Sequence, residues 1–75
     1  MDARKMAANF IDRYGADRFR WLLAALAHGA SGEGIASELQ VSRERVRQWK
    51  NAFGTVITLY RIHPEIEDLL RGHRP

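Results

Sequence analysis

The sequence predicts an all-α fold, a compact bundle of about five helices containing a helix-turn-helix, and three observations predict it. Apolar residues recur at three- and four-residue intervals through most of the 75 positions, the period of an amphipathic helix. The breaks in that period fall at residues that end or begin helices: Gly15, Gly29, Ser31, Ser42 and Pro64. Cysteine is absent, so disulfides and thiolate metal sites are excluded, and helix or sheet packing, or a second copy of the chain, must supply the stability.

The first helix carries Ala3, Met6, Ala7, Phe10, Ile11 and Tyr14 on one stripe and ends at Gly15. The second runs from about Asp17 to His28, with Phe19, Leu22, Leu23 and Leu26 on one face. Trp21, Ala25 and His28 form another apolar stripe, so this helix is expected to be buried on two sides. Gly29-Ala30-Ser31-Gly32 then interrupts the pattern. A short third helix follows, with Ser31 as its N-cap and Ile35, Ala36 and Leu39 as its apolar residues. Gly34 stands where a capping box would carry Glu or Gln. After Gln40-Val41-Ser42 comes a fourth helix, with Ser42 as N-cap and Glu44 in the first turn against the helix dipole.

Beyond Phe53 two patterns compete. Val46, Trp49, Phe53, Val56 and Tyr60 keep helical spacing, so the fourth helix is expected to continue to about Ile62. Gly54 and the β-branched run Thr55-Val56-Ile57-Thr58 would instead make a strand, serving as a wing or a dimer sheet. A last helix starts at Pro64, with His63 capping it. Ile57, Leu59, Ile62, Ile66, Leu69 and Leu70 are more apolar surface than a lone chain of this size readily buries. Residues 55–71 are therefore a candidate dimerisation element, with Ile57, Leu59, Ile62 and Leu69 as its candidate contacts.

Composition narrows the function. A chain of this length buries roughly 60% of its unfolded surface, which leaves little room for a deep catalytic cavity. The longest apolar run, Trp21 to Ala27, is seven residues, against about 20 for a membrane span. No signal peptide is expected, because Met-Asp-Ala-Arg-Lys leads into a polar segment rather than an apolar one. The chain is expected to be one cytoplasmic domain, without a cofactor or metal and not an enzyme. His28, His63 and His73 lack ligand spacing, and Gly29, Gly32 and Gly34 follow no strand. The net charge is +3 and the pI about 10.0. The window 43–50 alone, with Arg43, Arg45, Arg47 and Lys50 against Glu44, carries a charge equal to that of the whole chain. A basic cluster on one short helix is the electrostatic footprint of a nucleic-acid binder.

Two short helices joined by about three residues, the second strongly basic, outline a helix-turn-helix over about residues 31–53. Ile35, Ala36, Leu39, Val41, Val46 and Trp49 are its expected core, with Ala36 small where the helices cross. At about 100° per residue, Val46, Trp49 and Phe53 share the inner side of the fourth helix. Glu44 and Asn51 then lie opposite, Arg47 and Gln48 beside them, and Arg43, Arg45 and Lys50 on the flanks. Side chains with hydrogen-bonding forks in the middle and cations at the margins suit a major-groove reader. Arg47 matches guanine, Gln48 adenine, and Glu44 the cytosine amino group. The expected DNA-binding residues are Ser42, Arg43, Glu44, Arg45, Arg47, Gln48, Lys50 and Asn51.

Val41-Ser42-Arg43-Glu44-Arg45-Val46-Arg47-Gln48 resembles the helix-turn-helix in the fourth conserved region of bacterial sigma factors, which recognises the −35 promoter element. That resemblance covers roughly Ser31 to Lys50 and implies that Arg43, Glu44, Arg47 and Gln48 face DNA. The chain departs from that pattern at Gln40, where the family usually has glycine, and at Trp49-Lys50, which replaces an aliphatic–acidic pair. The same stretch also resembles the phage Cro/repressor family, where Ala36, Val41, Val46 and Trp49-Lys50-Asn51 fit and the size suits better. In both families the position of Gln40 often takes a positive φ, at a modest strain. The resemblances imply a transcriptional regulator that binds double-stranded DNA as a homodimer, associated with the nucleoid. The rival expectations are a module that docks on RNA polymerase or another protein, and a non-specific architectural DNA binder.

Overall fold

The computed structural model describes residues 2–56 and 60–72. Five helices and one small hairpin follow in order: α1 (Ala3–Tyr14), α2 (Ala16–Ala27), α3 (Gly32–Leu39), α4 (Arg43–Phe53), β1 (Gly54–Val56), β2 (Tyr60–Ile62) and α5 (Pro64–Gly72). The all-α bundle is what the helical periodicity predicts, with a two-stranded sheet added to it.

Local chemistry sets the boundaries. The Asp2 carboxylate accepts from the Arg4 N–H at 3.0 Å and starts α1. Gly15, at φ 95°, closes α1 by donating to the Ile11 carbonyl, and its own carbonyl accepts from Phe19 at the start of α2. A side chain would strain that backbone, so this glycine allows two helices to meet with no intervening loop. Ser31 Oγ accepts from the Gly34 N–H at 3.0 Å, and Ser42 Oγ from the Arg45 N–H at 3.1 Å. Both serines are the N-caps expected of them. The His63 carbonyl accepts from the Ile66 and Glu67 N–H groups, so His63 caps α5 through its backbone.

An aromatic chain pins α4 to the first two helices. The Trp49 ring meets Phe10 of α1 edge-on, with centroids 4.9 Å apart. Phe10 lies 5.6 Å from Phe19 of α2, which meets Phe53 edge-on at 5.3 Å. Edge-to-face pairs of this kind place the positive rim of one ring on the negative face of the next. Phe19 and Phe53 are fully buried, with Leu22, Ile35, Val46 and Ile66 around them.

Three expectations are corrected. Helix α4 does not continue to Ile62: it stops at Phe53, and β1 and β2 pair antiparallel with Gly54 opposite Ile62, Thr55 opposite Arg61 and Val56 opposite Tyr60. The cause is packing at Gly54, whose backbone is extended; a Cβ there would lie 2.6 Å from Tyr60 Cζ and against the Arg61 carbonyl. The His63 N–H donates to the Phe53 carbonyl at 3.0 Å and closes the base of the hairpin. Second, α2 is not buried on two sides, because Trp21 is 40% exposed, His28 is exposed and Ala25 is half-buried. Third, much of the C-terminal apolar surface is used within the chain: Ile66 is fully buried, and Ile62, Leu69 and Leu70 pack half-buried against the core. Ile57 and Leu59, like His73, lie outside the described residues.

Candidate functional site

Helices α3 and α4 pack directly on one another across the three residues Gln40, Val41 and Ser42. Gln40 sits in the left-handed region, φ 58° and ψ 48°. Its N–H reaches the Ser37 carbonyl at 3.4 Å, and the Val41 N–H reaches the Ala36 carbonyl at 3.0 Å. Two backward bonds from a left-handed residue and its successor form a Schellman closure, which satisfies the carbonyls at the end of α3. The chain can therefore reverse within three residues. The expected wedge is in place: Ile35, Ala36, Leu39, Val46 and Trp49 are buried, and Val41 is half-buried against them.

With that side turned inward, α4 presents Arg43, Glu44, Arg45, Arg47, Gln48 and Asn51 to solvent, with Ser42 at its exposed start. Lys50 is half-buried. The structure thus brings seven of the eight expected contact residues onto one helix and the eighth, Ser42, to its N-cap, but not as eight free side chains. The Glu44 carboxylate accepts two bonds from Arg47, from Nε at 3.2 Å and from an Nη at 3.1 Å. That hydrogen bond, and then the charge beside it, hold the Arg47 guanidinium still more firmly protonated than usual. The i, i+3 spacing of Glu44 and Arg47 is the sequence signal for this pair. Arg43 lies 3.8 Å from Glu33 and connects α4 to the first turn of α3. Gln48 and Asn51 have no side-chain partner among the described residues.

Two hollows flank α4. One, about 550 Å³, opens between the starts of α3 and α4 and is lined by Gly32, Arg43, Glu44, Val46, Arg47 and Lys50. The other, about 510 Å³, lies between α1 and the start of α4; its charged lining is Arg13 and Arg45. Sequence reasoning missed the second, because Arg13 joins it only through the docking of α1 on α4. Among the described residues no group of three or more His, Asp or Glu side chains is placed to hold a metal ion. No helix among them is long and apolar enough to cross a membrane.

No family model, no curated protein and no solved structure matches the chain.

Proposed function

We propose that this chain is a sequence-specific regulator of transcription that reads the major groove of double-stranded DNA with α4. The observation that carries the reading is the α3–turn–α4 unit: its wedge is buried while one convex helix displays Arg47, Gln48 and Asn51 amid cations. A groove about 12 Å wide admits one α-helix, and side chains with two hydrogen-bonding atoms discriminate its base edges. Among the described residues Gln48 and Asn51 have no side-chain bond to break before engaging adenine. Arg47 is steered by Glu44, which fixes the direction of its fork before any contact with guanine is made. Arg43, Arg45 and Lys50 supply phosphate contacts, which position the helix without reading sequence. One head of this size makes a small interface, so the reading includes a homodimer with two heads about 34 Å apart. It also places the protein with the nucleoid in the cytoplasm.

A second reading rests on Trp21, the large apolar residue that α2 leaves exposed. It makes the chain a module that docks on RNA polymerase or another protein partner. Gel-shift titration against random duplexes, with and without competitor, separates the two. Binding that selects some sequences supports the regulator, uniform binding indicates an architectural binder, and no binding leaves the docking module.

A further inference from the structure

We infer that the cleft between α1 and the start of α4 seats the phosphodiester backbone of a DNA strand, with Arg13 and Arg45 as its two cationic walls. The inference rests on the DNA-binding reading and adds α1 as a second contact element. Arg20, Arg43, Arg47 and Arg71 each face a carboxylate, of Asp17, Glu33, Glu44 and Asp68 respectively. Arg13 and Arg45 line one cleft, and neither forms an ion pair with any described residue. No acidic side chain is among the residues lining that cleft. Two like charges facing one hollow repel each other unless an anion lies between them.

The remaining lining fits the anion of a strand. Asn9 offers amide N–H donors and Ser42 a hydroxyl at the edge of the cleft, and the rings of Tyr14 and Trp49 form an apolar wall. Phosphate oxygens take bonds from arginine forks and polar side chains, while an apolar wall suits the sugar carbons between phosphates. A volume of about 510 Å³ exceeds what one phosphate fills and accommodates a backbone segment. Arg45 stands on α4 itself, so a strand held there would run beside the reading helix. Lys5, Asn9 and Arg13 recur every fourth residue and share one face of α1, which extends the same cationic stripe.

The test is the salt dependence of binding to a random duplex between about 50 and 200 mM salt. It is measured for the full chain, Arg13→Gln, Arg45→Gln, Arg47→Gln and the control Arg71→Gln. Each phosphate contact contributes about 0.9 to the slope of log affinity against log salt. Arg13→Gln and Arg45→Gln are each expected to lower the slope by about that amount. Each is also expected to weaken binding about fivefold at 0.15 M salt, alike for all sequences. Arg71→Gln is expected to match the unaltered chain. If the unaltered chain binds and Arg47→Gln relaxes its sequence preference, yet Arg13→Gln keeps the slope of Arg71→Gln, the cleft assignment is overturned and the α4 reading stands. If no variant, nor the unaltered chain, binds duplex, both are overturned. Unchanged slopes together with tight binding of a free nucleotide, lost in Arg13→Gln, would make the cleft a small-ligand site and overturn the strand.

Discussion

The Tyr60 hydroxyl donates a 2.7 Å hydrogen bond to the backbone carbonyl of Lys50. That carbonyl is in the last turn of α4, where helical carbonyls lack intrahelical partners. The hairpin is therefore fastened to the C-terminal end of the helix that carries the proposed reading residues. Burial pushes the Tyr60 phenol up to about 12. The folded state thus holds this proton above the ordinary phenol range. Its contribution is complete below about pH 10 and is lost as pH rises through about 12. Tyr60→Phe should lower stability by about 0.5–1.5 kcal/mol near neutral pH. It should also remove about 1–2 kcal/mol of alkaline destabilisation, a figure already reduced for the partial exposure of the ring. Urea unfolding of both proteins from pH 7 to 12 checks each number.

Gln40 occupies a left-handed backbone position that costs an ordinary residue roughly 1–2 kcal/mol. Gln40→Gly should remove that strain, offset in part by the greater freedom of glycine in the unfolded chain, for a net gain of about 0.5–1 kcal/mol. The thermal midpoint should rise while DNA affinity stays the same, because the Gln40 side chain lies outside the proposed contact set.

Trp49 joins the wedge to α1, with Phe10 at 4.9 Å and Tyr14 at 6.0 Å. Trp49→Ala should cost about 3–5 kcal/mol, a large fraction of what a small domain possesses. Circular dichroism is expected to show an unfolded or nearly unfolded chain. A well-folded variant would show that Trp49 is not what holds the wedge against α1.

The parts of this fold that were legible in the sequence are those decided within one or two turns of chain. Ser31 and Ser42 announce helix starts because their hydroxyls bond N–H groups only three residues on. Val46, Trp49 and Phe53 announce the buried side of α4 because helical geometry repeats locally. The run Val46, Trp49, Phe53, Val56, Tyr60 misleads because its spacing suits a helix while its last members belong to a hairpin. What ends the helix is the passage of the Tyr60 ring over Gly54, a contact between residues six apart. The β-branched run after Gly54 was the available signal. Trp21 misleads for the opposite reason: apolar spacing marks a surface that can be buried, but not what covers it. The placing of the eight proposed contact residues on α4 and its N-cap was legible from helical spacing, whereas the Arg13–Arg45 cleft depends on how α1 docks.

The proposed homodimer predicts sedimentation as a dimer at micromolar concentration. Leu59→Glu and Trp21→Glu then locate the contact: the variant that yields monomers, with weaker DNA binding, marks the two-fold face. An unaltered chain that sediments as a monomer while binding a protein partner would favour the docking module.

Selection of duplexes from a random pool, followed by competition titration, shows whether α4 reads base sequence. One site is expected to be enriched and bound at least about a thousandfold more tightly than random duplex. Arg47→Ala is expected to lose about tenfold in discrimination at one base position, while Lys50→Ala weakens all sequences alike. A pool that shows no enrichment, or Arg47→Ala and Gln48→Ala variants that select the same site with undiminished discrimination, would contradict base reading by α4.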